Sequence, residues 1–126
     1  MEEIKRKEFS DKIAALRQVL DMDVSMDDLE GMQGKVLMLV RLIGLSAEVK
    51  ARALKDLSDA KLVAYAKHKS EKLAPTVLKV VLEGETSEEE AKLELADRLN
   101  AGLVHAIDGL RTIISLRKSE LENSLK

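Results

Sequence analysis

Lys50, Arg52, Lys55, Lys61, Lys67, Lys69 and Lys72 are the residues of this 126-residue chain best suited to a chemical task. That task is phosphate binding. A lysine or arginine that neutralises a phosphate releases condensed counterions, which gives salt-sensitive affinity for a nucleic-acid strand whatever its sequence. Positions 41–79 hold nine basic and four acidic residues, a net +5, between flanks of −3 and −4 in a chain of net −2. A confined basic zone on an acidic protein suits selective contact better than indiscriminate duplex binding. In an oligomer the patch would be repeated and strengthened by avidity. On a monomer the same lysines are equally well a solvated helix face.

No other constellation suggests catalysis. His68 and His105 belong to no Glu-x-x-His or His-x-x-x-His pattern and read as surface or interface histidines. Glu88, Glu89 and Glu90 suit the positive end of a helix dipole. Gly31-Met-Gln-Gly34-Lys35 has neither the spacing nor the preceding strand of a phosphate loop. Without cysteine there is no thiolate nucleophile, disulfide or cysteine-ligated zinc. The expectation is a protein with no catalytic residues, no metal and no cofactor.

The elements that must position these residues are helical. The hydrophobic 45% is nearly all Leu, Val, Ile, Ala and Met, with one Phe, one Tyr, no Trp and one Pro. Aromatic-poor, Leu- and Ala-rich cores suit helices packed side by side, and the stacking platforms of an RRM or OB-fold are missing. The charged start, Met1-Glu-Glu-Ile-Lys-Arg-Lys, has no signal-peptide core behind it. The longest apolar run, Val36 to Val40, is too short to cross a bilayer. These features predict a soluble cytoplasmic protein with no membrane partner.

Spacing predicts a single all-α domain over 1–126. A first helix occupies 1–20, with Ile4, Phe9, Ile13, Leu16 and Leu20 on one face. Ser25 is placed to cap a second, 25–44, ending at Gly44. Ser46 would cap a basic third helix, 46–73, with Val49, Ala53, Leu57, Ala60, Ala64 and Tyr65 inward. Pro75 imposes a boundary, and the connector 75–84 reads equally as short helix or strand, closed by Gly84. Ser87-x-x-Glu90 has the form of a capping box for a last helix over 87–124, roughly 50 Å long.

That last helix carries Leu95, Leu99, Leu103, Ala106, Leu110 and Ile113 at spacings of three and four. Gly102, Ala106 and Gly109 add a seam of small residues where a second backbone can come close. The partner is either another helix of the same chain or another copy. In the second case Leu99, Gly102, Leu103, Ala106, Gly109, Leu110 and Ile113 form an oligomer interface. The expected architecture is a long antiparallel helix pair with shorter N-terminal helices, a helical bundle forming a homo-oligomer.

The chain also shows an apolar helix, Val36-Leu-Met-Leu-Val-Arg-Leu-Ile43, then a basic helix with Val49-Lys-Ala-Arg52, then a C-terminal helix reading Ala106-Ile-Asp-Gly-Leu-Arg-Thr-Ile-Ile-Ser-Leu-Arg117-Lys-Ser-Glu120. In this order, over 36–120, it resembles the recombination mediator proteins of tailed phages, the UvsY type. The resemblance implies a small all-helical protein that oligomerises through C-terminal helices, binds single-stranded DNA and helps load a recombinase. The family's DNA-contacting Lys-x-Arg pair falls on Lys50 and Arg52, with Lys55, Lys61, Lys67 and Lys69 extending the path. Arg111 and Ser115-Leu-Arg-Lys118 match the family's C-terminal pattern. Its middle-helix aromatics are missing here apart from Tyr65. Two rival expectations use the same helices without nucleic acid: an oligomeric structural or adaptor protein of phage assembly, and a small inhibitor docked on a host enzyme.

Overall fold

Four α-helices are linked by short connections in the computed structural model, which describes residues 2–125. Met1, with which the first helix was expected to begin, and Lys126 lie outside the described residues. Helix α1 spans Glu2–Leu20, α2 Leu29–His68, α3 Pro75–Glu85 and α4 Ser87–Ser124, and a 3₁₀ turn, Lys69–Glu71, follows α2. No strand occurs among the described residues.

The largest departure from the sequence reading is α2, one continuous helix where two were expected. Gly44 does not adopt the left-handed conformation of a helix terminator, and Ser46 does not cap. The Ser46 hydroxyl, buried within the bundle, donates to Asn100 Oδ1 on α4 at 3.0 Å. The reason for continuity is phase. Met32, Leu39, Ser46, Val49, Ala53, Leu57 and Ala64 are buried in one unbroken stripe. Burial of that stripe outweighs the roughly 1 kcal/mol that an interior glycine costs.

The start of α2 also differs. Asp28, not Ser25, is the N-cap, its carboxylate accepting from the Gly31 amide at 2.9 Å. A side chain on Gly31 would collide with that carboxylate, so glycine permits the cap. Ser25 instead accepts from the Asp27 amide in the preceding turn.

At the far end, Lys72 takes the left-handed conformation (φ 55°) and the chain reverses. Ala74 is extended and Pro75 opens α3 as its first residue, so the ambiguous connector is helical and contains Gly84. Only Thr86 separates α3 from α4. Its buried hydroxyl donates to the Leu82 carbonyl at 2.9 Å, and its own carbonyl accepts the Glu90 amide. Ser87 is therefore already helical, and the expected capping box does not form.

Helix α4 runs antiparallel to α2, as the Ser46–Asn100 and Lys50–Asp97 contacts require, and parallel to α1, whose Arg6 meets Glu88. Ile13 packs with Val49, Ala53, Ala96 and Leu99; one layer along, Leu16, Leu39, Leu103 and Ile107 close the core. Lys35 Nζ donates to the Leu20 and Met22 carbonyls, satisfying acceptors at the end of α1. Arg117 holds the α1–α2 loop to α4 through the Met26 carbonyl and Asp27.

This packing supplies a partner within the chain for most of the last helix's stripe. Leu99 and Leu103 are buried within the monomer, and Ala106 and Leu110 pack against the same cluster. Gly102 faces Leu20, and Ile113 is half-buried. Only Gly109 of the proposed interchain set is exposed, with open space beside it. The α4 stripe is the core of the chain itself, so copies could not meet through Leu99 and Leu103 without opening the bundle.

Candidate functional site

Two residues apart on an α-helix project about 200° apart, and Lys50 and Arg52 follow that rule to opposite flanks of α2. Lys50 turns toward α4 and pairs with Asp97 at 3.0 Å. Arg52 turns toward α1, where it lines a small cleft with Lys5, Glu8, Phe9, Lys12 and Asp56. Lys55 and Lys61 are exposed and form no ion pair among the described residues, and Lys69 stands on the 3₁₀ turn. Lys67 reaches Glu85 on α3 at 3.5 Å. The lysines close in sequence are thus dispersed around the bundle, with an acidic neighbour beside two of them. Arg52 gathers with Lys5 and Lys12, basic residues outside the sequence-defined zone, although Glu8 and Asp56 share that cleft.

A wider cleft of about 480 Å³ lies between the start of α1, the Ala53–Val63 portion of α2 and the start of α4. Its lining carries both signs: Lys5, Arg6 and Lys92 against Asp56, Asp59, Glu88 and Glu89. Arg6 pairs with Glu88 at 3.2 Å, and the Lys92 ammonium sits 5.7 Å from the centre of the Phe9 ring. Glu88, at the dipole-positive start of α4, therefore also ties α1 to α4. So balanced a lining does not attract a polyanion. No group of three or more His, Asp or Glu residues could hold a metal among the described residues. No helix there is long and apolar enough to cross a membrane.

His68 is not a simple surface residue. Its Nδ1 bonds Glu71 at 2.9 Å and its Nε2 bonds Glu85, which ties the end of α2 to the end of α3. The signal in sequence was Glu71, three residues on; Glu85 is distant and could not be seen. The hydrogen bond to Glu71, then that to Glu85, raises the imidazole pKa above its ordinary 6.5. The hydrogen bond from His68 chiefly lowers the Glu85 carboxyl below its ordinary 4.5. A raised histidine stabilises fully below 6.5 and loses its contribution as pH rises through the folded value. A lowered carboxylate stabilises above 4.5 and loses its contribution as pH falls through the folded value. The α2–α3 tie is therefore firmest between about pH 4.5 and 6.5. Amide exchange in α3, corrected for the intrinsic pH dependence, should show greatest protection in that window. A Glu85→Gln variant should lower the His68 titration midpoint seen by NMR. An unchanged midpoint would mean that the contact does not persist in solution.

The least expected exposed feature is apolar. Leu37, Val40, Gly44, Ala47, Ala51 and Leu54 recur at steps of three and four along α2, on the side away from the core, and all are exposed. Leu37 and Leu54 keep 52% and 53% of their accessible surface, more than half of each side chain's contact with water. Further along, Leu62 and Tyr65 are also exposed, so Tyr65 does not point inward as its spacing suggested. This second stripe was hidden by reading Gly44 as a terminator; it becomes visible once 29–68 is one helix.

Fold and surfaces together define a class: an all-helical bundle in which a 40-residue helix packs one face on α4 and leaves an apolar stripe in water. Compared with known proteins, the chain matches no family model, no curated protein and no solved structure.

Proposed function

We propose that this chain is a non-catalytic assembly or adaptor protein, which works by docking another helix on the outer face of α2. The observation that carries the reading is the exposed apolar stripe from Leu37 to Leu54. Contiguous apolar surface rimmed by polar residues is the mark of a contact surface rather than of a solvated helix. Repetition at alternating steps of three and four is the pattern a partner helix reads. The dispersed lysines support this reading by contrast, since Lys50 and Lys67 already have carboxylate partners.

A second reading is favoured by one observation, the gathering of Arg52 with Lys5 and Lys12 between α1 and α2. It makes the chain an accessory single-stranded-DNA-binding protein that helps load a recombinase, as the resemblance implies. Anisotropy of a labelled single-stranded oligonucleotide, titrated at low and moderate salt, separates the two. The docking reading expects little binding and none that Leu54→Arg alters. Tight binding that weakens steeply with salt would sink it. In that event the geometry orders the variants: Arg52→Ala should weaken binding more than Lys50→Ala, because Lys50 is engaged by Asp97.

A further inference from the structure

We propose that the α2 stripe is covered by a second copy of α2, laid antiparallel about a two-fold axis level with residues 45 and 46. The proposal rests on the docking reading above and names its partner. A 3-4 repeat maintained from 37 to 54 drifts slowly around an α-helix, and left-handed supercoiling of two helices keeps such a stripe in contact. The stripe also has a profile that fits its own reverse. In the register proposed, Leu37 lies beside Leu54 of the second copy, Val40 beside Ala51 and Gly44 beside Ala47. The small residues meet at the centre, where the backbones can approach, and the large ones close both ends.

Charge beside the stripe selects the register. The flanking positions on one side are Arg41, Glu48 and Lys55, one heptad apart and all exposed. In this register Arg41 of each copy meets Glu48 of the other, which gives two attractive pairs. Sliding one copy by a heptad in one direction puts Arg41 against Lys55 and Glu48 against Glu48. Sliding it the other way puts Arg41 against Arg41. A slide of two heptads keeps an attractive Glu48–Lys55 pair, but it brings Ser58 and Lys61 into the seam and sets Leu37 against His68 at the end of α2. A parallel pairing would set Lys50 against Lys55. Like charges held opposite one another at such flanks decide against a pairing. Within one chain Arg41 and Glu48 are two turns apart and do not interact, so any coupling between them must cross between copies.

The test is light-scattering mass across a concentration series, with the intact chain and three variants. Wild type should approach twice the chain mass of 14.0 kDa. Arg41→Glu should lose the dimer while keeping the helical circular dichroism of wild type, since the residue is exposed. Arg41→Glu with Glu48→Arg should restore it. Leu54→Arg should abolish it irrespective of those charges. A monomer at every concentration overturns the proposal, as does a dimer that ignores the charge exchange. Neither result touches the docking reading, which stands or falls on the oligonucleotide titration.

Discussion

Leu103→Ala should cost about 3 kcal/mol of unfolding free energy and lower Tm by roughly 10 °C, equally at low and high protein concentration. Leu103 has no accessible surface and packs with Leu16 of α1, Leu39 of α2 and Ile107 of its own helix. Truncation removes the transfer energy of the lost methyl groups and leaves a cavity that three rigid helices cannot close. Because every neighbour belongs to the same chain, the loss relative to wild type does not depend on assembly. The control is Leu54→Ala, which changes an exposed side chain and should move monomer stability by no more than about 0.5 kcal/mol. Urea unfolding of both variants at two protein concentrations makes the measurement. A Leu103→Ala loss that grows on dilution would show that the α4 stripe faces another copy, as one reading of the sequence had it.

The contrast between Leu103 and Leu54 also shows what could be read from the chain. Periodicity located α1, the body of α4 and the inward stripe from Val49 to Ala64, because a buried helix face leaves apolar residues every three or four positions. It could not say which molecule would cover the stripe on α4, since a helix of the same chain and a helix of another copy demand the same residues. Local punctuation misled at four residues. Gly44, Ser46, Ser25 and Ser87 each have the residue type of a helix terminus, yet the α2 core stripe overrode the first two, the Asp28 cap the third and the Thr86–Leu82 hydrogen bond the last. Tertiary burial acts over many residues, while a cap contributes only about 1 kcal/mol. The dispersal of the basic residues was hidden for a different reason. Lys50 and Arg52 are close in number but opposed on the helix, and their surroundings, Asp97 and Lys5, come from other elements.

The glycines give the other large expected effect, and its sign separates two accounts of α4. Gly34 and Gly109 lie inside helices without positive φ, and a Cβ added at either would meet no atom within 4 Å. Alanine at each site should restrict the unfolded chain and favour the helix, a gain of about 0.5–1 kcal/mol per site. The two sites share no contact, so the double variant Gly34→Ala/Gly109→Ala should gain about 1–2 kcal/mol, with Tm rising by roughly 5 °C. Gly102→Ala would bring a Cβ to 3.8 Å from Leu20 Cδ1, an ordinary contact, and should gain less or nothing. Gly31→Ala should go the other way, because its Cβ displaces the Asp28 carboxylate and removes the cap of α2, a loss of about 1 kcal/mol. If Gly109 instead marks the place where a second backbone seats on α4, Gly109→Ala alone must destabilise the assembly. Thermal unfolding of the single variants therefore ranks the glycines by what surrounds them. A stabilised Gly109→Ala leaves the outer face of α2, not α4, as the surface on which copies meet.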